Sequence, residues 1–141
     1  MDDQLYREYI LEHYKRPHHH GSLDRADLEA HDLNPLCGDE LTFQLAIGDD
    51  GRVSDVAFDG HGCAISQASA SMLSDELIGK TRQELLALDR ELILELLGID
   101  ISATRMKCAM LSLKVVKAAA LGESADWEAG LPESGGAPGG L

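Results

Sequence analysis

Apolar positions change period several times along this chain, and each change marks an element. Over residues 4–15, Leu5, Tyr6, Tyr9, Ile10 and His13 fall on one face of a helix that Pro17 ends. The Tyr6 and Tyr9 pair reads as a packing seam. Over residues 40–47 the period is two, with Leu41, Phe43, Leu45 and Ile47 on one side. Residues 53–59 read as a second strand, and Gly48-Asp49-Asp50-Gly51 between them is a turn. The pair is a β-hairpin with one buried face. From residue 65 to 77, Ile65, Ala68, Met72, Leu73 and Leu77 return to helical spacing, and Ser66, Ser69 and Ser71 keep the flank small enough for close packing on the sheet. Gly79 ends that helix. Thr81-Arg82-Gln83-Glu84 has the form of a capping box and opens a short helix through Leu88. Residues 91–97 make a Leu-rich helical stretch closed by Gly98. Residues 99–104 read as a loop, and a long helix follows over residues 105–121 with Cys108, Leu111, Val115 and Ala119 on one face. Residues 22–32 are polar and are expected to be a connection without regular structure.

Length and composition narrow the class. A chain of 141 residues suits one domain with one core, assigned to residues 1–122. Residues 123–141, rich in Gly, Pro, Ser and acidic side chains, are expected to form a flexible tail, with Trp127 as a local docking point. The net charge of -13 would be repelled by nucleic acid and by anionic membranes, so neither is expected as a partner. A protein with a basic patch suits it better. There is no long apolar run, and Met1-Asp2-Asp3-Gln4 lacks the basic and apolar regions of a signal peptide, so the expectation is a cytoplasmic protein.

Three cysteines without secretory features argue against a disulfide framework. Cys37, Cys63 and Cys108 each stand beside polar residues or turn formers. Cys63 follows Gly60-His61-Gly62, where the backbone can turn sharply, and enters the helix that begins near Ile65. Free N–H groups at a helix N-terminus favour a thiolate, the form that acts as nucleophile and metal ligand. Cys37 and Asp39 lie two residues apart in the turn Asn34-Pro35-Leu36-Cys37-Gly38-Asp39. Alone, that pair reads as an ordinary turn. The hairpin changes the reading: Cys37 enters its first strand, Cys63 leaves its second, and those ends adjoin in an antiparallel pair. Cys108 lies near the start of the last helix, with Arg105 and Lys107 available to offset thiolate charge. Three thiolates and one carboxylate suit tetrahedral Zn²⁺, and thiolates equally hold an iron–sulfur cluster. His18-His19-His20 invites a metal reading too, but consecutive side chains diverge, and a solvated loop is expected.

The segments Asn34-Pro35-Leu36-Cys37-Gly38-Asp39, Gly60-His61-Gly62-Cys63-Ala64-Ile65-Ser66 with Ala68-Ser69, and Arg105-Met106-Lys107-Cys108-Ala109 resemble the iron–sulfur cluster assembly family of IscU, SufU and the NifU N-terminal module. The resemblance implies an α+β fold: a small antiparallel β-sheet with helices packed against it and the metal site at one end. It implies a cysteine desulfurase as partner, with downstream iron–sulfur assembly or acceptor proteins. Its members either build a transient [2Fe–2S] cluster on three Cys or bind zinc and accept persulfide sulfur. Lys107 stands where IscU-like chains place a His, and Arg105 matches the SufU pattern, in which three Cys and one Asp hold zinc. The interval from Cys63 to Cys108 is short for SufU, so that match is by residues and not by length. The expectation is therefore a SufU-like scaffold or sulfur-transfer protein, with Cys37 as sulfur acceptor and Cys37, Asp39, Cys63 and Cys108 as metal ligands. An IscU-type scaffold with the cluster on Cys37, Cys63 and Cys108 is the alternative. A structural zinc module comes next. A hydrolytic zinc enzyme using His61 as base ranks last.

Overall fold

The structure, a computed structural model, describes residues 3–34 and 38–121. Cys37 and the tail over residues 123–141 lie outside the described residues. The chain runs α1 (Asp3–Lys15), β1 (Leu28–Asn34), β2 (Asp39–Ile47), β3 (Val53–His61), α2 (Ala64–Leu77), α3 (Arg82–Leu86), α4 (Arg90–Leu97) and α5 (Ala103–Ala120). The three strands form one antiparallel sheet in the order β1-β2-β3. This is the α+β architecture expected from the sequence.

Strand alternation sends Leu41, Phe43 and Leu45 of β2 to one face, where all three are fully buried. Val56 and Phe58 of β3 join them, and the Phe43 and Phe58 rings stack with centroids 5.5 Å apart. Helices α2 and α5 cover this face with Leu73, Leu77, Val115 and Val116. The capping box at Thr81 is present, with Thr81 and Glu84 each bonding the other's backbone N–H. Gly98 ends α4 in the left-handed conformation at φ 69, and the Tyr6 ring lies where its side chain would be.

Four expectations need correction. Residues 28–34 are a strand, not part of a loop. Of β1 only Leu28 and Asn34 are buried, so this edge strand lacks the apolar alternation that reveals β2. Its place comes from ladder pairing with β2, from Leu28↔Leu45 to Asn34↔Asp39. A second correction concerns α1, which buries Ile10 and His13 but leaves Leu5 and Tyr9 about half exposed. Tyr6 packs over Gly98, and the half-exposed Tyr9 meets the His13 ring edge-on at 4.6 Å. The third is α5, which starts at Ala103 with Ser102 as N-cap, so Cys108 sits in its second turn and not at its mouth. The fourth is the loop after α1. His19 and Gly21 pair with Phe58 of β3 through hydrogen bonds of 2.9 Å each, so this segment is anchored to the sheet edge. Among the described residues, no helix is long and apolar enough to cross a membrane.

Candidate metal centre

The centre is assembled where β2 begins and β3 ends. Asp39 is the first residue of β2 and shares the inward face with Leu41, so its carboxylate enters the sheet's buried side and is fully buried. Gly38 donates its N–H to Asn34 O at 2.8 Å, which closes the turn leading into the strand. Across the ladder, Gly60 pairs with Leu41, at φ 148. A side chain there would run into the carbonyl of Glu40, so glycine lets β2 and β3 continue together to the end of the sheet. Gly62, at φ 156, repeats the device one step on, and any Cβ it carried would collide with the Asp39 carboxylate.

Because Gly62 yields that space, the Cys63 N–H reaches Asp39 Oδ1 at 2.9 Å. Cys63 is the N-cap of α2, and its side chain makes no cap hydrogen bond, which leaves the sulfur available. Cys108 arrives from α5 and is 1% exposed. One ligand atom from each of Asp39, Cys63 and Cys108 lies within 4.8 Å of the others. A tetrahedral zinc with Zn–S bonds of about 2.3 Å needs sulfurs about 3.8 Å apart, so small side-chain shifts would suffice.

The donor set fits a cation on one further observation. Asp39 Oδ2 is buried and has no hydrogen-bond partner among the described residues. A buried polar atom left unpartnered costs about 1–3 kcal/mol, and more for a charged group. A metal ion bound by the neighbouring sulfurs would satisfy it. Beside the three residues lies a cavity of about 260 Å³ lined by Cys63, Thr104, Arg105 and Cys108. Arg105 therefore lines the same cavity as the two thiols, whereas Lys107 lines a different cavity with Leu33, Asn34 and Lys114. Of the two supporting cations expected from the sequence, the structure brings Arg105 to the thiols. Thr104 had no signal of its own beyond standing next to Arg105.

His61 points elsewhere. Its Nε2 lies 3.0 Å from Glu40 Oε1, and His31 Nε2 lies 2.6 Å from Glu40 Oε2. Glu40 follows Asp39 and takes the opposite face of β2. The hydrogen bond from His31, aided by the charges of His31 and His61, holds the Glu40 carboxyl below its usual pKa. This His31–Glu40–His61 bridge across three strands escaped the sequence reading because β1 did. It takes His61 away from the centre and removes the base that a hydrolytic reading needs.

Comparison with known proteins identifies the family. The model of the NifU-like N-terminal domain matches residues 5–123. The zinc-dependent sulfurtransferase SufU of Bacillus subtilis is 34% identical over 133 residues, covering 82% of this chain and 88% of its own. The iron–sulfur cluster assembly scaffold protein IscU of Streptococcus pyogenes is 47% identical over 87 residues, covering 61% of this chain and 53% of that protein. This chain thus spans about half the length of that relative. A crystal structure described as a putative SUF-system scaffold from Fervidobacterium islandicum superposes with a TM-score of 0.69 at 30% identity, covering 85% of this chain and 99% of its own. A match over nearly all the described fold places the chain in a family: it belongs to the NifU-like N-terminal domain proteins, the group that includes the IscU and SufU proteins of iron–sulfur cluster assembly.

Proposed function

We propose that this protein supports iron–sulfur cluster assembly by accepting persulfide sulfur from a cysteine desulfurase at a metal centre formed by Cys37, Asp39, Cys63 and Cys108. The observation that carries the reading is the buried Asp39 carboxylate, with one oxygen on the Cys63 N–H and the other unpartnered beside two thiols. Zinc, when bound, would hold the thiols as thiolates at neutral pH. The relative from Bacillus subtilis, named a zinc-dependent sulfurtransferase, supports this choice of chemistry.

In the transfer, the Cys37 thiolate attacks the outer sulfur of the desulfurase persulfide. A new S–S bond forms on Cys37, the old one breaks, and the desulfurase cysteine leaves as a thiolate. No external oxidant is needed, since one persulfide replaces another. Cys37 is the acceptor because the Cys63 backbone is held at the start of α2 by its N–H bond to Asp39, and Cys108 is buried inside α5. Asp39 is the ligand most easily exchanged, being oxygen among sulfurs. Arg105, in the lining of the cavity, favours an incoming anionic sulfur.

An IscU-type role is the second reading, in which the same cysteines hold a [2Fe–2S] cluster as cargo. The Streptococcus pyogenes relative, named a scaffold, favours it. Persulfide labelling after incubation with a cysteine desulfurase and cysteine separates the two. Transfer to Cys37 in the zinc-loaded, colourless protein supports the sulfur-relay reading. A chromophore that forms on the protein without such labelling supports the scaffold. Neither product in the folded protein would leave a structural zinc module as the account.

A further inference from the structure

The three histidines after α1 do not spread into solvent. His18 Nδ1 lies 2.7 Å from Asp75 Oδ2, and His19 Nε2 lies 3.1 Å from Asp75 Oδ1. Consecutive imidazoles reach one carboxylate because His19 adopts the left-handed conformation, φ 57, which turns its ring back toward α2. His20 turns the other way, toward Asp59. Beneath them is His13, at the end of α1 and 1% exposed. Its Nδ1 lies 2.6 Å from Ser71 Oγ, and that oxygen also accepts the His18 N–H at 2.8 Å. Its Nε2 is buried and has no hydrogen-bond partner among the described residues. The His13 and His18 rings are 4.4 Å apart between centroids. One ligand atom from each of His13, His18 and Asp75 lies within 4.8 Å of the others.

We propose that His13, His18 and Asp75 form a second metal site, for a divalent transition metal of the zinc class, with His19 steadying the Asp75 carboxylate through its other oxygen. Two imidazoles and one carboxylate suit zinc and its neighbours, and do not suit the all-oxygen preference of magnesium or calcium. With the His13 proton on Nδ1 and donated to Ser71 Oγ, this bond is the outer-shell contact that commonly orients a metal-binding imidazole, and the lone pair is at Nε2. Zinc bonds of about 2.0–2.2 Å to N and O need ligand atoms about 3.3 Å apart, so the His18–Asp75 pair opens slightly and shifts toward the buried His13. The side chains that must move are free to do so, since His18 is 50% and Asp75 39% exposed. Asp75 lies near the far end of α2 from Cys63, about 18 Å along a helix rising 1.5 Å per residue. The two sites are therefore separate, and an ion here would tie α1 and its following loop to α2.

Cobalt(II) distinguishes them, because thiolate ligands add a charge-transfer band that imidazole and carboxylate do not. The untagged full chain, stripped of metal under anaerobic conditions, is titrated with Co²⁺, and bound cobalt is counted after desalting. The wild type should hold two equivalents, one of them with the charge-transfer band. The double variant His18→Gln/Asp75→Asn, altered at exposed side chains, should hold one, with that band undiminished. A wild type that binds one equivalent, with the thiolate band, overturns the proposal, and so does a folded double variant that still binds as many equivalents as the wild type. If the thiolate band never appears but one equivalent binds and is lost in the double variant, this site stands and the thiolate centre fails.

Discussion

Replacing Gly62 with alanine tests how the junction between Asp39 and Cys63 is built. At φ 156, a Cβ at this position would overlap Asp39 Oδ1 and lie 2.8 Å from Cγ and 3.1 Å from Cα. Asp39 has little room to withdraw, being fully buried and paired with Asn34 at the start of β2. A non-glycine residue held in such a conformation costs about 1–3 kcal/mol. Pushing the carboxylate aside also breaks the 2.9 Å bond from the Cys63 N–H, and a hydrogen bond to a charged group is worth about 1.5–3 kcal/mol. The two costs overlap, since relieving one incurs the other, so the expected destabilisation is about 3 kcal/mol. With an unfolding entropy of about 2.1 cal/mol/K per residue, a domain of roughly 120 residues should lose about 12 °C in melting temperature. Metal affinity should fall at least tenfold, as when an outer-shell contact is lost. Calorimetry on the metal-free protein and competition with a chromophoric chelator measure the two effects. A Gly62→Ala protein that melts within about 2 °C of wild type and binds metal equally well would refute the close approach.

Other substitutions separate further parts of the account. Asp39→Asn keeps the shape but removes the charge, so metal affinity should drop tenfold or more while the metal-free protein melts at or above wild type. Calorimetry with and without zinc checks this, and a lower metal-free melting temperature would contradict it. His13 has its pKa lowered from 6.5 by burial and by His18, against the opposing pull of Asp75 and Glu12. The unfolded chain therefore takes up the proton first, and stability that is complete above about pH 6.5 is lost as pH falls through the lower folded-state value. In chelator, His13→Gln should lose less stability than wild type between pH 7.5 and pH 5.5 in denaturant titrations, and equal losses would contradict the assignment. Leu73→Ala, at a fully buried position under the sheet, should cost about 2–5 kcal/mol by the same titrations. Lys114→Met removes the 2.7 Å pair with Asp32 between α5 and β1 and should cost no more than about 1 kcal/mol, because Lys114 is largely exposed.

The sequence revealed those parts whose neighbours are close in the chain or whose periods are regular. Leu41, Phe43 and Leu45 alternate because one face of β2 is fully buried, and the capping box at Thr81 is a local arrangement of four residues. The approach of Asp39 to Cys63 was legible through the hairpin, whose open ends must adjoin. Strand β1 was not legible, because Glu29, His31 and Leu33 face solvent and its identity rests on pairing with β2. The convergence of His18 and His19 on Asp75 was hidden for a related reason. It depends on a left-handed residue at His19, where a side chain gives no warning that glycine would give, and on a partner far along the chain. The burial of Cys108 in the second turn of α5 depended on where Ser102 caps that helix, ahead of the start expected at residue 105.

X-ray absorption at the edge of the metal that purifies with the anaerobic protein tests the central claim most directly. At one ion per chain, the account predicts a shell of three sulfurs at about 2.3 Å and one oxygen at about 2.0 Å for zinc, from Cys37, Cys63, Cys108 and Asp39. A shell of nitrogen and oxygen alone, with no sulfur neighbour, would contradict it.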